Sequence, residues 1–183
     1  MLHYSGRGRF VVEPVSLTKQ IEDIVLLFRS TIPKSVNLRL DLDPSLPPIN
    51  ADAGQIQQLV TNLVLNGAEA IDSVGEVTVS ASLQELSGTG SQNLAGNPVP
   101  PGTYAMLEVR DTGHGIDAAT RTRIFDPFFT TKFTGRGLGL AAVLGIVRGH
   151  QGGISVFSEP GKGTTFQVYF PVETGRRALH AKI

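Results

Sequence analysis

Gly135-Arg136-Gly137-Leu138-Gly139-Leu140 runs without a break into Ala141-Ala142-Val143-Leu144-Gly145-Ile146-Val147-Arg148-Gly149-His150. Glycines spaced like the first three do not sit inside a helix, where each costs about 1 kcal/mol against alanine. The residues after them do, because Leu140, Val143, Leu144 and Val147 recur at helical spacing. The stretch is a glycine turn that opens a helix. Bare amides at a helix N-terminus, backed by the helix dipole, suit a phosphate. A flexible connector ahead of a helix has the same composition, so the turn by itself leaves both readings open.

Outward from this turn, the 183 residues suffice for one domain with a short appendage. Lys and Arg number 16, as do Asp and Glu, so no strongly basic face is implied and nucleic acid is not the expected partner. The absence of cysteine excludes disulfides and thiolate metal sites. No apolar run reaches membrane-spanning length, and 1–10 lacks the apolar centre of a signal peptide. A piece without membrane contact, in the cytoplasm, is expected, with the parent protein still free to be membrane-anchored.

Apolar residues at Leu17, Ile21, Ile24, Val25 and Phe28 predict an amphipathic helix over 17–30, stopped by Pro33. Over 37–43, Leu38, Leu40 and Leu42 alternate with Asn37, Arg39, Asp41 and Asp43, the pattern of a half-buried strand. Asp52 is the N-cap of a long helix over 53–71, with Ile56, Leu59, Val60, Leu63, Val64 and Ala68 on its apolar side. Strands are predicted over 76–84 and 104–109. Between them, 85–103 is rich in Gly, Ser, Asn and Pro and reads as a loop without regular structure, long for a compact domain. A glycine turn at 111–116 leads to a short helix over 117–124, capped by Asp117. Gly152-Gly153 breaks the chain after the second glycine turn and its helix. Strands over 154–158 and 164–170 are joined by a hairpin turn. Helix, strand, helix, two strands, two helices, two strands: the order predicts an α+β fold, one layer of helices on one mixed sheet.

Within the long helix, Asn62 and Asn66 lie four apart and share a face inside an apolar run, and Glu69 extends that polar edge. Asparagine competes for backbone hydrogen bonds and is a mediocre helix former. The pair is either a solvated or loop-bonded edge, or a carboxamide oxygen for a hard cation such as Mg²⁺. Asp111-Thr112-Gly113-His114-Gly115 closes a strand. Its spaced glycines admit a flat ligand, and its carboxylate suits an exocyclic amine, as on adenine; the alternative is an Asx turn. Gly161-Lys162-Gly163-Thr164 is not a Walker loop, because Val156 and Gly163 occupy positions that need Gly and Ser or Thr. A rival comes from Gly137-Leu138-Gly139-Leu140-Ala141-Ala142, which fits the dinucleotide turn G-x-G-x-x-A, with Glu159 about 20 residues on as the ribose-binding acid. Against it stand Pro127 in the preceding segment, an element order that is not βαβαβ, and the unexplained Asn62, Asn66 and Asp111.

Taken jointly, Asn62-x-x-x-Asn66-Gly-Ala-Glu-Ala70, Asp111-Thr-Gly-His-Gly-Ile116, Gly137-Leu-Gly-Leu140 and Gly161-Lys-Gly-Thr164 resemble the ATP-binding catalytic domain of sensor histidine kinases. That family is wider, with DNA gyrase, mismatch-repair ATPases and heat-shock chaperone ATPases. Ile124-Phe-Asp-Pro-Phe-Phe-Thr-Thr-Lys132 resembles the phenylalanine box of nitrogen-regulation-like and hybrid sensor kinases, and Ser158-Glu-Pro-Gly-Lys-Gly-Thr164 is equally typical. The resemblance covers 14–171. It implies a two-layer α+β sandwich of the Bergerat type, three main helices on a mixed, mostly antiparallel sheet, with ATP between two helices under a lid at 125–135. By the family pattern Asn66 would hold Mg²⁺, and Asp111 would bind the adenine amine, directly and through water near Thr164. Gly113 and Gly115 would let the base approach. The amides of Gly137, Leu138 and Gly139 would cradle phosphates. Asn62, Glu69, Ala70, Ile116, Phe125 and Leu140 belong to the same motifs and complete the expected nucleotide site.

The γ-phosphate would pass to a histidine on a separate helical dimerisation domain, and from there to a response regulator. Gyrase-like hydrolases usually carry a water-activating Glu where Asn62 stands, which favours a kinase. Two departures concern the lid, which is shorter than usual. Arg136 replaces the common Thr or Ser, and either supplies a charge or faces solvent; Lys132 is a second candidate for that charge. The histidines are His3, His114, His150 and His180, and none has the setting of a phosphoacceptor. His150 reads as a helix-end residue favoured by the dipole. The expected division is 1–13 as a remnant of an upstream helical domain, 14–173 as the ATP-binding domain and 174–183 as a tail: a fragment that binds ATP and does not phosphorylate itself.

Overall fold

The computed structural model describes residues 10–88, 95–96, 98–127, 129 and 139–172. In chain order the elements are β1 (Glu13–Val15), α1 (Leu17–Phe28), β2 (Val36–Leu42), β3 (Ile49–Ala51), α2 (Ala53–Glu69), β4 (Gly75–Leu86), β5 (Ala95–Gly96), β6 (Gly102–Asp111), α3 (Ala118–Arg121), α4 (Gly139–Gly149), β7 (Gly153–Ser158) and β8 (Thr164–Pro171).

Each helix begins or ends on identifiable chemistry. Ser16 caps α1 by accepting from the Lys19 N–H at 3.3 Å, and the helix buries Leu17, Ile21, Ile24 and Val25. Asp52 caps α2 by accepting from the Gln55 N–H at 3.1 Å, and Ile56, Leu59, Val60, Leu63, Val64 and Ala68 form its buried stripe. Asp117 caps α3 in the same way, through the Thr120 N–H at 2.7 Å. Helix α4 stops in a Schellman motif. Gln151 takes φ 57°, its N–H donates to the Arg148 carbonyl at 3.1 Å, and the Gly152 N–H donates to the Val147 carbonyl at 2.9 Å.

The main sheet has six strands in the order β2-β4-β6-β8-β7-β5. β2 and β4 run parallel, joined across β3 and α2, and every other neighbouring pair is antiparallel. In register across it, Leu40, Val79, Val109, Phe166 and Val156 face the helices. The opposite face carries Thr78, Ser80, Glu108 and Arg110. β1 and β3 form a separate antiparallel ribbon, bridged to the sheet through Ile49 and Val172. No helix among the described residues is long and apolar enough to cross a membrane.

Several expectations need correcting. The 85–103 segment is not structureless: β4 runs on to Leu86, β5 pairs with β7, and β6 begins at Gly102. β1 and β3 were not expected at all. The boundary between 13 and 14 falls inside β1. Phe10 already lies edge-on to His150 at 5.3 Å, and the Val11 N–H donates to Asp52, so 10–13 belong to the fold. The remainder of the expected N-terminal piece, 1–9, and the expected tail, 174–183, lie outside the described residues, as does 173.

His150 stands at the C-terminal end of α4, as expected, and makes a contact beyond its own helix. It is buried, its Nε2 accepts from the Asp52 N–H at 3.1 Å, and so its proton sits on Nδ1, facing the Ile146 carbonyl at 2.7 Å. The C-terminus of α4 is thereby tied to the N-terminus of α2. β6 and β7, the strands on either side of the glycine turn, are kept apart by β8, which is antiparallel to both, so the turn does not join adjacent parallel strands and the dinucleotide reading falls.

Removing side-chain volume from the fully buried stripe of α2 leaves a cavity. Leu63→Ala should cost about 2–5 kcal/mol in urea unfolding, against about 0.5 kcal/mol or less for Leu26→Ala on the exposed side of α1. The Asp52 carboxyl is held below its usual range by the Val11 and Gln55 N–H groups. Its contribution to stability is therefore present above about pH 4 and fades as pH falls through the lowered value. Between pH 6 and pH 3 (about, on that scale) the urea midpoint should drop less for Asp52→Asn than for the parent.

Candidate functional site

On α2, Asn62 and Asn66 are both half-buried, Glu69 is exposed and Ala70 is buried just past the helix end. Between them Gly67 seats the helix on the sheet. A Cβ there would lie 3.2 Å from the Asp111 Cβ and 3.5 Å from its Oδ2. Asp111 ends β6 and is 3% exposed. Burying a carboxylate is costly unless donors meet it, and the Gly113 N–H reaches Oδ1 at 2.9 Å. The Asx-turn alternative is thus realised, at a residue that also faces the helix layer.

The loop after Asp111 is wedged from two sides. A Cβ on Gly113 would stand 2.4 Å from the Ala70 carbonyl oxygen, which accepts from the His114 N–H at 3.0 Å. Gly115 has φ 73°, and a Cβ there would stand 2.0 Å from the Glu159 carbonyl oxygen. The space beside both glycines, expected to admit a base, is on that side filled by the chain's own backbone. Thr164 is buried and pairs in register with Asp111, and Ser158 pairs with Thr164. Val77, Asp111, Thr164 and Ser158 therefore form one row on the helix side of the sheet. The Ser158 hydroxyl accepts from the Ile116 N–H at 2.8 Å, and Ile116 is half-buried.

α4 completes the arrangement. Asn62 Nδ2 donates to the carbonyl oxygen of Gly139, the first residue of α4, at 3.1 Å. Leu140, one residue on, packs against the core. Phe125 is half-buried in that core, and Arg123 lies over the Phe129 ring at 4.5 Å while facing Asp126 at 3.9 Å. Lys132, Arg136, Gly137 and Leu138, with most of the expected lid, lie outside the described residues.

The structure thus brings together Asn62, Asn66, Ala70, Asp111, Gly113, Thr164 and the first turn of α4. No group of three or more His, Asp or Glu able to hold a metal occurs among the described residues. A polar trough of about 420 Å³ lies elsewhere, on the far face of the sheet, between Arg39, Thr78, Glu108 and Arg110. Its walls carry charges of both signs, and it does not touch the α2–Asp111 contact. Ser158 and Ala70 belong to the motifs quoted above, but the contacts of the Ser158 hydroxyl and of the Ala70 carbonyl were not legible in them. A serine at a strand end has no distinguishing spacing, and a backbone acceptor has no sequence signal.

Residues 51–174 match the family described as histidine kinase-, DNA gyrase B-, and HSP90-like ATPase. This chain belongs to that family. Its relatives include the sensor kinase CckA of Brucella abortus, 36% identical over 173 residues. The signal transduction histidine-protein kinase AtoS of Escherichia coli is 35% identical over 173 residues. These alignments take in 93% and 94% of the chain but 18% and 26% of the relatives, so the chain spans about a fifth to a quarter of their length. Among solved structures, full-length ShkA in complex with AMPPNP superposes with a TM-score of 0.72 at 26% identity, over 91% of this chain and 32% of that one. The catalytic domain of histidine kinase ThkA, nucleotide-free, superposes at 0.70 and 25% identity, over 88% and 96%. The fold is that of the histidine kinase ATPase domain, an α+β sandwich as expected.

Losing the Asn62 amide removes the tie on the first turn of α4. Asn62→Ala should speed amide exchange at the start of α4 about fivefold or more while lowering global stability by only about 1 kcal/mol. Peptide-level hydrogen exchange checks this against the C-terminal half of α4, which should be unaffected.

Proposed function

We propose that this domain binds ATP with Mg²⁺ and passes the γ-phosphate to a histidine on a separate helical dimerisation domain, from which a response regulator takes it. The observation that carries this reading is the seating of Gly67 on Asp111, which sets the Asn66 turn of α2 beside a buried acceptor at the end of β6. Asp111 then takes the exocyclic amine of adenine, with Thr164 beside it. The N-terminus of α4 meets the phosphates, where the helix dipole favours negative charge. Gly137, Leu138, Arg136 and Lys132 precede that helix in the sequence.

Among the described residues no group of three or more His, Asp or Glu stands ready for the ion, which leaves the Asn66 amide oxygen as its protein ligand. This fits Mg²⁺, which commonly takes few protein ligands and fills its shell with phosphate oxygens and water. When bound, Mg²⁺ neutralises charge on the triphosphate. The rest is positioning, which is most of what phosphoryl transfer asks of a protein. Asn62 has no basic group to activate water, and its amide donates to the Gly139 carbonyl. That supports transfer to an acceptor over hydrolysis, as do the names of the relatives, which are sensor kinases. The work is done on the cytoplasmic side, where ATP is available.

Calorimetric titration tests the pocket. Asp111→Asn should weaken ATP binding about tenfold or more. Asn66→Ala should remove the gain in affinity that Mg²⁺ confers, leaving metal-free binding nearly unchanged. Parental affinity in both variants would reject the assignment. Phosphohistidine on an added helical domain, formed from γ-labelled ATP, tests the transfer itself.

A further inference from the structure

We infer that Ser158 fixes the direction in which the Thr164 hydroxyl points its proton, and so makes the base end of the site an all-acceptor wall that selects a 6-aminopurine over a 6-oxopurine. This rests on the nucleotide reading above. The Ser158 Oγ lies 2.8 Å from the Ile116 amide nitrogen, 3.0 Å from the Gly163 carbonyl oxygen and 2.8 Å from the Thr164 Oγ1. A serine hydroxyl has one proton and two lone pairs. The Gly163 carbonyl has no proton to give, so the Ser158 proton goes to it. The Ile116 N–H occupies one lone pair. The contact with Thr164 is a hydrogen bond in one arrangement only, with Thr164 donating to the remaining lone pair.

The consequence falls on the next residue in the row. With its proton committed to Ser158, Thr164 shows only lone pairs toward Asp111, its register partner. The Asp111 carboxylate also accepts, as it does from the Gly113 N–H. Two buried acceptors therefore stand side by side. An exocyclic amine supplies protons to such a pair, whereas a 6-oxo group sets lone pair against lone pair. A single water lodged between Thr164 and Asp111 keeps the same polarity. It gives one proton to each and turns its oxygen to the base, again as an acceptor. An unmet buried polar group is the usual source of strong discrimination between ligands of one shape. Ser158 is here a positioning residue, acting through Thr164.

The test compares Kd for ATP and for inosine triphosphate, each with Mg²⁺, on the full chain. Ser158→Ala releases the Thr164 proton toward the base, and the ATP preference should fall about tenfold. Structural damage alone lowers both affinities by a common factor and leaves the ratio in place. Ser158→Thr keeps the hydroxyl and should keep the parental ratio. Thr164→Val provides a route independent of Ser158. It removes an acceptor and should weaken ATP while leaving inosine triphosphate nearly unchanged. An unaltered ratio in Ser158→Ala, or an equal loss of both nucleotides in Thr164→Val, overturns the role of Ser158. A parental protein that binds neither nucleotide overturns the nucleotide reading itself.

Discussion

A carboxylate turned toward the helix layer, at the end of a central strand, is a demand that the surrounding chain must meet. Asp111 is buried where aliphatic side chains fill the neighbouring rows, and an unmatched charge there would cost several kcal/mol, on the order of a whole domain's margin of stability. The chain answers by doubling back so that the Gly113 N–H reaches it. Doubling back needs the loop to lie flat on the end of α2, where the Ala70 carbonyl takes the His114 N–H. It also needs the hairpin between β7 and β8 to close over the other side, where the Gly161 N–H donates to the His114 carbonyl at 2.7 Å. Helix end, loop and hairpin are thus located by one buried charge.

The two faces of the sheet are managed differently. The inner face is a continuous apolar core against α1, α2 and α4. The outer face is polar, with one apolar island of Val99, Tyr104 and Tyr169. Burial, and then Glu108 nearby, push the Tyr169 phenol above its ordinary pKa. The edges are guarded as well. β5, the shortest of the strands, pairs with Gly153 and Ile154 at the start of β7, and β2 at the other edge carries the exposed Arg39 and Asp41 between the flanking Pro33 and Pro44. Charge and proline at an exposed edge discourage pairing with other chains.

What the sequence made legible follows from how local each signal is. The stripe of α2 and its Asp52 cap are read within one helix, and both are where the spacing puts them. β4, β6 and β8 alternate over enough residues to declare themselves. β1 and β3 have three residues each and β5 has two, too few for any period to show, and Gly96 sits at φ 96° besides. The contact of His150 with the Asp52 N–H had no local signal, because the two residues lie 98 apart. The tie from Asn62 to Gly139 spans 77 residues and was equally invisible. Asp111 and Thr164 stood out as members of motifs, but their adjacency is a matter of strand register. Ser158 matters only once three partners are seen around one oxygen.

One further consequence lies in how α4 is fastened. Its first residue is held by Asn62, and its last turn is held, through His150, by the backbone at Asp52. Both anchors belong to α2 or to its cap, a turn or more from Asn66. The two helices are therefore geared: neither can rock about its own axis without turning the other. A partner that grips α4 from outside would reach the Asn66 turn of α2 by leverage, without touching α2 itself.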